Sequence, residues 1–220
     1  MPNITYEEVP YFVDGEKSAK AGLIVLQEWW GLNEQIKKKT TEFAHAVGAL
    51  AIAPDLYRGK VTTKEDEANH EMSHLNWDQA YNDIRNAVKY LRSQGVQKVG
   101  IMGFCLGGAL TLGSAIKVEG IDAASVFYGI PGDADPKNVH IPVQYHFGDK
   151  DATEGFADKK TACKFKEGLK AAGKDISEFH QYPEANHAFM NEEELAYPYK
   201  PEIAKVARDR TVAFFKKHLL

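Results

Sequence analysis

Short apolar runs of strand length alternate with amphipathic stretches of helix length along the whole of this 220-residue chain. The run 21–26 (Ala-Gly-Leu-Ile-Val-Leu) reads as a buried strand. A helix is expected over 33–47, with Asn33 as its N-cap behind a loop glycine. A strand at 49–53 is stopped by Pro54-Asp55, and a polar segment, 61–75, leads into a long helix over about 77–92 that Ser93-Gln94-Gly95 ends. Further strands are expected at 98–102, 123–128, 142–147 and 176–182, with helices at 109–117, 158–172 and 201–217. The stretch 4–13 alternates loosely, as an edge ribbon would.

Strands separated by helices predict an α/β fold, a mostly parallel central sheet covered by helices on both faces. The chain is long enough for one well-filled core and short for two, and no linker or repeat divides it, so a single domain over 1–220 is expected. A net charge of −4 gives no electrostatic footprint for nucleic acid or an anionic membrane. The longest apolar run falls far short of a bilayer span. The first eight residues carry neither a basic n-region nor an apolar h-region, and two cysteines are too few for a disulfide framework. A cytoplasmic protein, monomeric or weakly dimeric, is expected, and a reducing compartment would keep its thiols usable.

The chemistry concentrates in Gly103-Phe104-Cys105-Leu106-Gly107-Gly108, which puts a cysteine where a strand breaks into a helix. A nucleophile at so sharp a turn needs small neighbours two residues away on either side, because strand and helix backbones nearly touch. A buried structural cysteine is the bland alternative. The glycine spacing fits neither G-x-G-x-x-G nor a phosphate-binding P-loop. Cys163, in an amphipathic helical stretch, reads as a packing residue.

In open parallel sheets, reactive groups gather at the carboxyl ends of the strands. Cys105 follows one strand, Asp149 and Asp151 another, and His187 the last. Nucleophile, acid, histidine is the chain order of α/β-hydrolases. A thiol is only a few per cent ionised at neutral pH, so an imidazole must help it, and an acid must orient that imidazole. The Leu106 backbone N–H is one candidate for holding a developing oxyanion. Either acid of the turn fits at this level, and each alone reads as an ordinary turn residue.

Four ordered motifs, Gln27-Glu28-Trp29-Trp30-Gly31-Leu32-Asn33, Ala53-Pro54-Asp55-Leu56-Tyr57, the Cys105 hexapeptide and Tyr182-Pro183-Glu184-Ala185-Asn186-His187-Ala188-Phe189, resemble those of the dienelactone hydrolase (carboxymethylenebutenolidase) family. The tail 197–215 is similar too, so the likeness spans nearly the whole chain. The resemblance implies an α/β-hydrolase fold without a large cap, and a cofactor-free, metal-independent Cys–His–Asp triad that cleaves a small-molecule ester or lactone. It makes Asp151, last residue of the Gly148-Asp149-Lys150-Asp151 turn, the acid. It also makes Glu28 a partner of the resting thiol, and the Trp29 N–H the second oxyanion donor. In the family, arginines hold the substrate carboxylate. Arg58 stands one position early for the first, and Phe189-Met190-Asn191 occupies the place of the second. Tyr57, Trp30, Tyr128 and Phe189 are expected to line an aromatic substrate pocket.

His70-Glu71-Met72-Ser73-His74 matches the H-E-x-x-H zinc signature, but positions 77 and 80 are Trp and Ala where an extended motif needs Gly and His. A solvated helical face is the expected reading. Two rival classes remain: a non-catalytic ligand-binding module on a hydrolase fold, and a thiol redox protein, which would lack a C-x-x-C.

Overall fold

The computed structural model describes residues 3–220; the first two, part of the stretch read for a signal sequence, lie outside them. In chain order the elements are β1 (Asn3–Tyr6), β2 (Val9–Gly15), β3 (Ala21–Leu26), α1 (Glu34–Val47), β4 (Leu50–Pro54), α2 (Glu65–Ser73) and α3 (Trp77–Ser93). There follow β5 (Lys98–Phe104), α4 (Leu106–Lys117), β6 (Ala123–Phe127), β7 (Val143–Gly148), α5 (Lys159–Ala171), β8 (Phe179–Tyr182) and α6 (Pro201–Leu219). One eight-stranded sheet has the order β1-β2-β4-β3-β5-β6-β7-β8. The ribbon β1–β2 pairs antiparallel and joins β4 antiparallel; every pair from β4 to β8 is parallel.

Two glycines show how helices cover both faces. Gly22 on β3 abuts Leu91 at the end of α3. Gly100 on β5 abuts Phe215 and Leu219 of α6. Gly22 pairs with Val99, and successive residues of a strand point to opposite faces, so α3 and α6 lie on opposite sides of the sheet. Strands β3, β4, β5, β6 and β7 are buried almost end to end, which is why they read as continuous apolar runs rather than alternating ones.

The expected elements form, with three local differences. Asn33 caps α1 as its side chain accepts the Ile36 N–H at 3.1 Å. The helix after β5 begins at Leu106 instead of 109, because Gly107 and Gly108 let it start against the sheet. The polar segment 61–75 holds a further helix, α2. The last strand is shorter than its apolar pattern, because Asp175 accepts the Ser177 N–H and hydroxyl and turns the chain before it.

Candidate active site

Phe104 ends β5 and Leu106 begins α4, so Cys105 alone makes the turn, at φ 56° and ψ −115°. A residue with a β-carbon holds such a conformation only when its surroundings over-determine it. Here the Cys105 N–H donates to Phe127 O at 3.1 Å and its carbonyl accepts from Ala109 at 3.0 Å. A β-carbon on Gly103 would overlap the Gly107 carbonyl, and one on Gly107 would lie 2.5 Å from the Gln27 oxygen. The two glycines are therefore a steric condition of the turn that lifts the thiol to the carboxyl ends of the strands.

The loop after β8 brings His187 to that edge, and the turn after β7 brings Asp151. His187 Nδ1 donates to Asp151 Oδ2 at 2.6 Å, and Asp151 Oδ1 takes the Thr153 N–H at 2.9 Å. Both side chains are buried. Burial opposes charge on the imidazole. The Cys105 charge, the Asp151 hydrogen bond and a hydrogen bond with Cys105 outweigh it and hold the His187 pKa well above its ordinary value. Asp149, two residues earlier, serves a different partner: Lys159 Nζ lies 2.8 Å from its carboxylate.

Glu28, just past β3, is buried and accepts from Asn191 Nδ2 at 2.6 Å and from the Tyr128 hydroxyl at 3.3 Å. Burial pushes its pKa up, against the lowering effect of His187 and of the Asn191 bond. The Leu106 N–H sits at the first turn of α4 and the Trp29 N–H in the loop after β3. Among the described residues neither donates to a protein acceptor. Cys105, His187, Glu28, Trp29, Trp30 and Asn191 share one cavity of about 320 Å³, closed by Met72, Phe156, Ala188, Ala196 and Tyr197. Edge-on contacts to Tyr128 and Tyr197, with centroids 5.1 and 5.4 Å away, hold the imidazole in place.

The profile of the dienelactone hydrolase family matches residues 10–219. The chain belongs to the dienelactone hydrolase family. Among its relatives, Protein usf of Aquifex pyrophilus is 33% identical over 210 residues, covering 90% of this chain and 88% of that one. The carboxymethylenebutenolidase of Pseudomonas putida is 29% identical over 207 residues, covering 87% and 84%. A provisionally named dienelactone hydrolase of Klebsiella pneumoniae superposes with a TM-score of 0.82 at 26% identity, covering 96% of this chain and 93% of that one.

Within this member of the dienelactone hydrolase family, four expected pocket residues lie elsewhere. Arg58 turns away from Cys105. Its guanidinium makes a bidentate pair with Asp83, at 2.7 and 2.9 Å, and a 2.9 Å bond to Asp55 O. The reason is α3, which presents a carboxylate only 1% exposed that needs a cation. Tyr128 and Phe189 are wholly buried and pack on each other at 5.2 Å. They support Glu28 and the histidine loop from behind and do not form a wall. Tyr57 lines an adjoining cleft of about 520 Å³ on the far side of Trp30, with its hydroxyl buried and unpartnered. Burial, and then the Cys105 charge, raise the Tyr57 pKa. Trp30 borders both spaces.

The H-E-x-x-H histidines lie on and just past α2, their rings tilted by 35° with centroids 4.2 Å apart; the His74 Nδ1 bonds the His70 carbonyl and Glu71 pairs with Lys60 at 2.8 Å. Among the described residues no group of three or more His, Cys, Asp or Glu is placed to hold a metal ion. Cys163 is partly exposed on α5. Residue types alone missed Asn191, Phe156 and Tyr197; only the unexpected amide at 191 gave a signal.

Proposed function

We propose that the chain hydrolyses a lactone or related carboxylic ester through Cys105, His187 and Asp151. The observation that carries this reading is the arrangement at the cavity floor. A thiol on a strained strand–helix turn faces an imidazole whose other nitrogen is fixed by a buried carboxylate at 2.6 Å. Cys105 and Asp151 both favour charge on His187, the state that lets it hand a proton to a leaving oxygen.

The thiolate attacks the carbonyl carbon, and the carbonyl electron pair moves onto oxygen. The Leu106 and Trp29 N–H groups, both free to donate, stabilise that oxyanion, and the α4 dipole adds to Leu106. Collapse re-forms the carbonyl and breaks the C–O bond, and His187 delivers its proton to the leaving oxygen. In a lactone the leaving alcohol stays attached through the acyl chain. Water then attacks the thioester as His187 takes its proton, and the second collapse returns the thiol and releases the acid. Asp151 holds the imidazole tautomer throughout. Glu28 is within the same cavity and positions or deprotonates the resting thiol.

The test is hydrolysis of p-nitrophenyl acetate and of a dienelactone by the wild type, Cys105→Ala and Cys163→Ala, with and without EDTA. Loss of at least about 10³-fold in Cys105→Ala, near-wild-type rates in Cys163→Ala and indifference to chelator support the reading. Equal loss in the two cysteine variants, or no Cys105-dependent turnover of either ester, refutes it.

A further inference from the structure

We infer that this cavity selects uncharged substrates with an apolar acyl part, and discriminates against esters and lactones that carry a carboxylate. The inference rests on the hydrolase reading above and goes beyond it by naming the substrate class. Among the described residues lining the cavity, none is Lys or Arg. Its walls are Trp29, Trp30, Met72, Phe156, Ala196 and Tyr197. The imidazole at its floor is already paired with the Asp151 carboxylate at 2.6 Å.

The charged groups nearest the cavity and the Asn191 amide are engaged, while the buried Thr153 hydroxyl on its wall has no partner. The Asn191 amide donates to Glu28 at 2.6 Å and its oxygen accepts the Glu193 N–H at 2.9 Å. Arg58 spends its guanidinium on Asp83. Lys39, 5.9 Å from the Phe104 ring centroid, is paired with Glu192 at 3.4 Å. A substrate carboxylate would thus lose its water without gaining a cation to replace it, and uncharged donors such as the Thr153 hydroxyl offset only part of that loss.

It would also meet like charge. The adjoining cleft past Trp30 carries Asp66, Glu67 and Glu71 against a single Lys60. Lys60 is itself tied to Glu71 at 2.8 Å. An uncharged acyl group instead buries apolar surface against four aromatic side chains and a methionine.

The experiment compares p-nitrophenyl 4-carboxybenzoate with p-nitrophenyl 4-(methoxycarbonyl)benzoate. Both release the same phenolate, and the para carboxylate cannot reach its own ester. Release is measured with wild type, Cys105→Ala and Ala196→Arg, each rate referred to that ester's rate with hydroxide. The wild type is expected to favour the neutral ester by about 100-fold in kcat/KM, a factor of ten for each 1.4 kcal/mol. Ala196 is an exposed wall residue, so Ala196→Arg places a cation at the mouth and is expected to shrink that preference about tenfold. A wild-type ratio near one, or one favouring the carboxylate, overturns the inference. So does an unchanged ratio in folded Ala196→Arg. Turnover of the neutral ester that survives in Cys105→Ala overturns the hydrolase reading itself, a separate outcome.

Discussion

Replacing Arg58 with Met tests whether this arginine holds the fold or a substrate. Asp83 is 1% exposed, while the Arg58 side chain is 39% exposed. Arg58→Met removes two charge-assisted bonds, at 2.7 and 2.9 Å, and leaves the carboxylate with the Gln79 amide at 3.0 Å. Stranding one partner of a fully buried pair costs about 3–5 kcal/mol. The half-exposed guanidinium lets water take part of its place, which brings the expected loss to about 2 kcal/mol. For a chain of this size that is a fall of about 4–8 °C in Tm. The double variant Arg58→Met/Asp83→Asn discharges the carboxyl and is expected to recover most of the loss. Thermal denaturation measures both, and p-nitrophenyl acetate hydrolysis is read alongside at 25 °C. Destabilisation with kcat/KM within about twofold of the wild type is the expected pattern. An unchanged Tm with a large fall in kcat/KM refutes the structural assignment and returns Arg58 to the substrate.

Asn191→Leu leaves Glu28 with Tyr128 as its only side-chain donor, at 3.3 Å, so a loss of about 1–3 kcal/mol in urea unfolding is expected, with kcat reduced more than KM is raised; wild-type kcat would remove Asn191 from the site. His146 is buried between the Tyr182 hydroxyl, Gln144 Oε1 and Thr211 Oγ1, with His180 and Arg210 nearby, and burial, then His180 and Arg210, hold its pKa well below 6.5. A base depressed by folding contributes stability that is present above the unfolded pKa, near 6.5, and is lost as pH falls through 6 and below. Urea unfolding between pH 7.5 and 5 is expected to show this loss, up to about 1.4 kcal/mol per unit for this group, with the slope reduced in His146→Gln. An equal slope in that variant would place the acid sensitivity elsewhere.

Features that depend on near neighbours along the chain were legible from residue order. Apolar runs of five or six residues set the strands, because strands buried on both faces need no alternation. Asn33 marked a helix start, because an N-cap acts on residues three positions away. The Gly103–Cys105–Gly107 spacing specified the turn, since its steric condition is written within five residues. The order of the reactive groups followed from the order of the strands that end beside one another.

What side chains from distant segments do to each other was set by folding. Asp149 and Asp151 share one turn, yet one meets Lys159 and the other His187, a choice made by what α5 and the β8 loop bring near. Asn191 reaches Glu28 across 163 positions of chain, and Arg58 reaches Asp83 across 25. Residue type suggested an aromatic pocket from Tyr128 and Phe189, but the sheet edge leaves them behind the site while Phe156 and Tyr197 come forward. A charge or a ring looks the same in sequence wherever it points; burial and a partner across space give it its role.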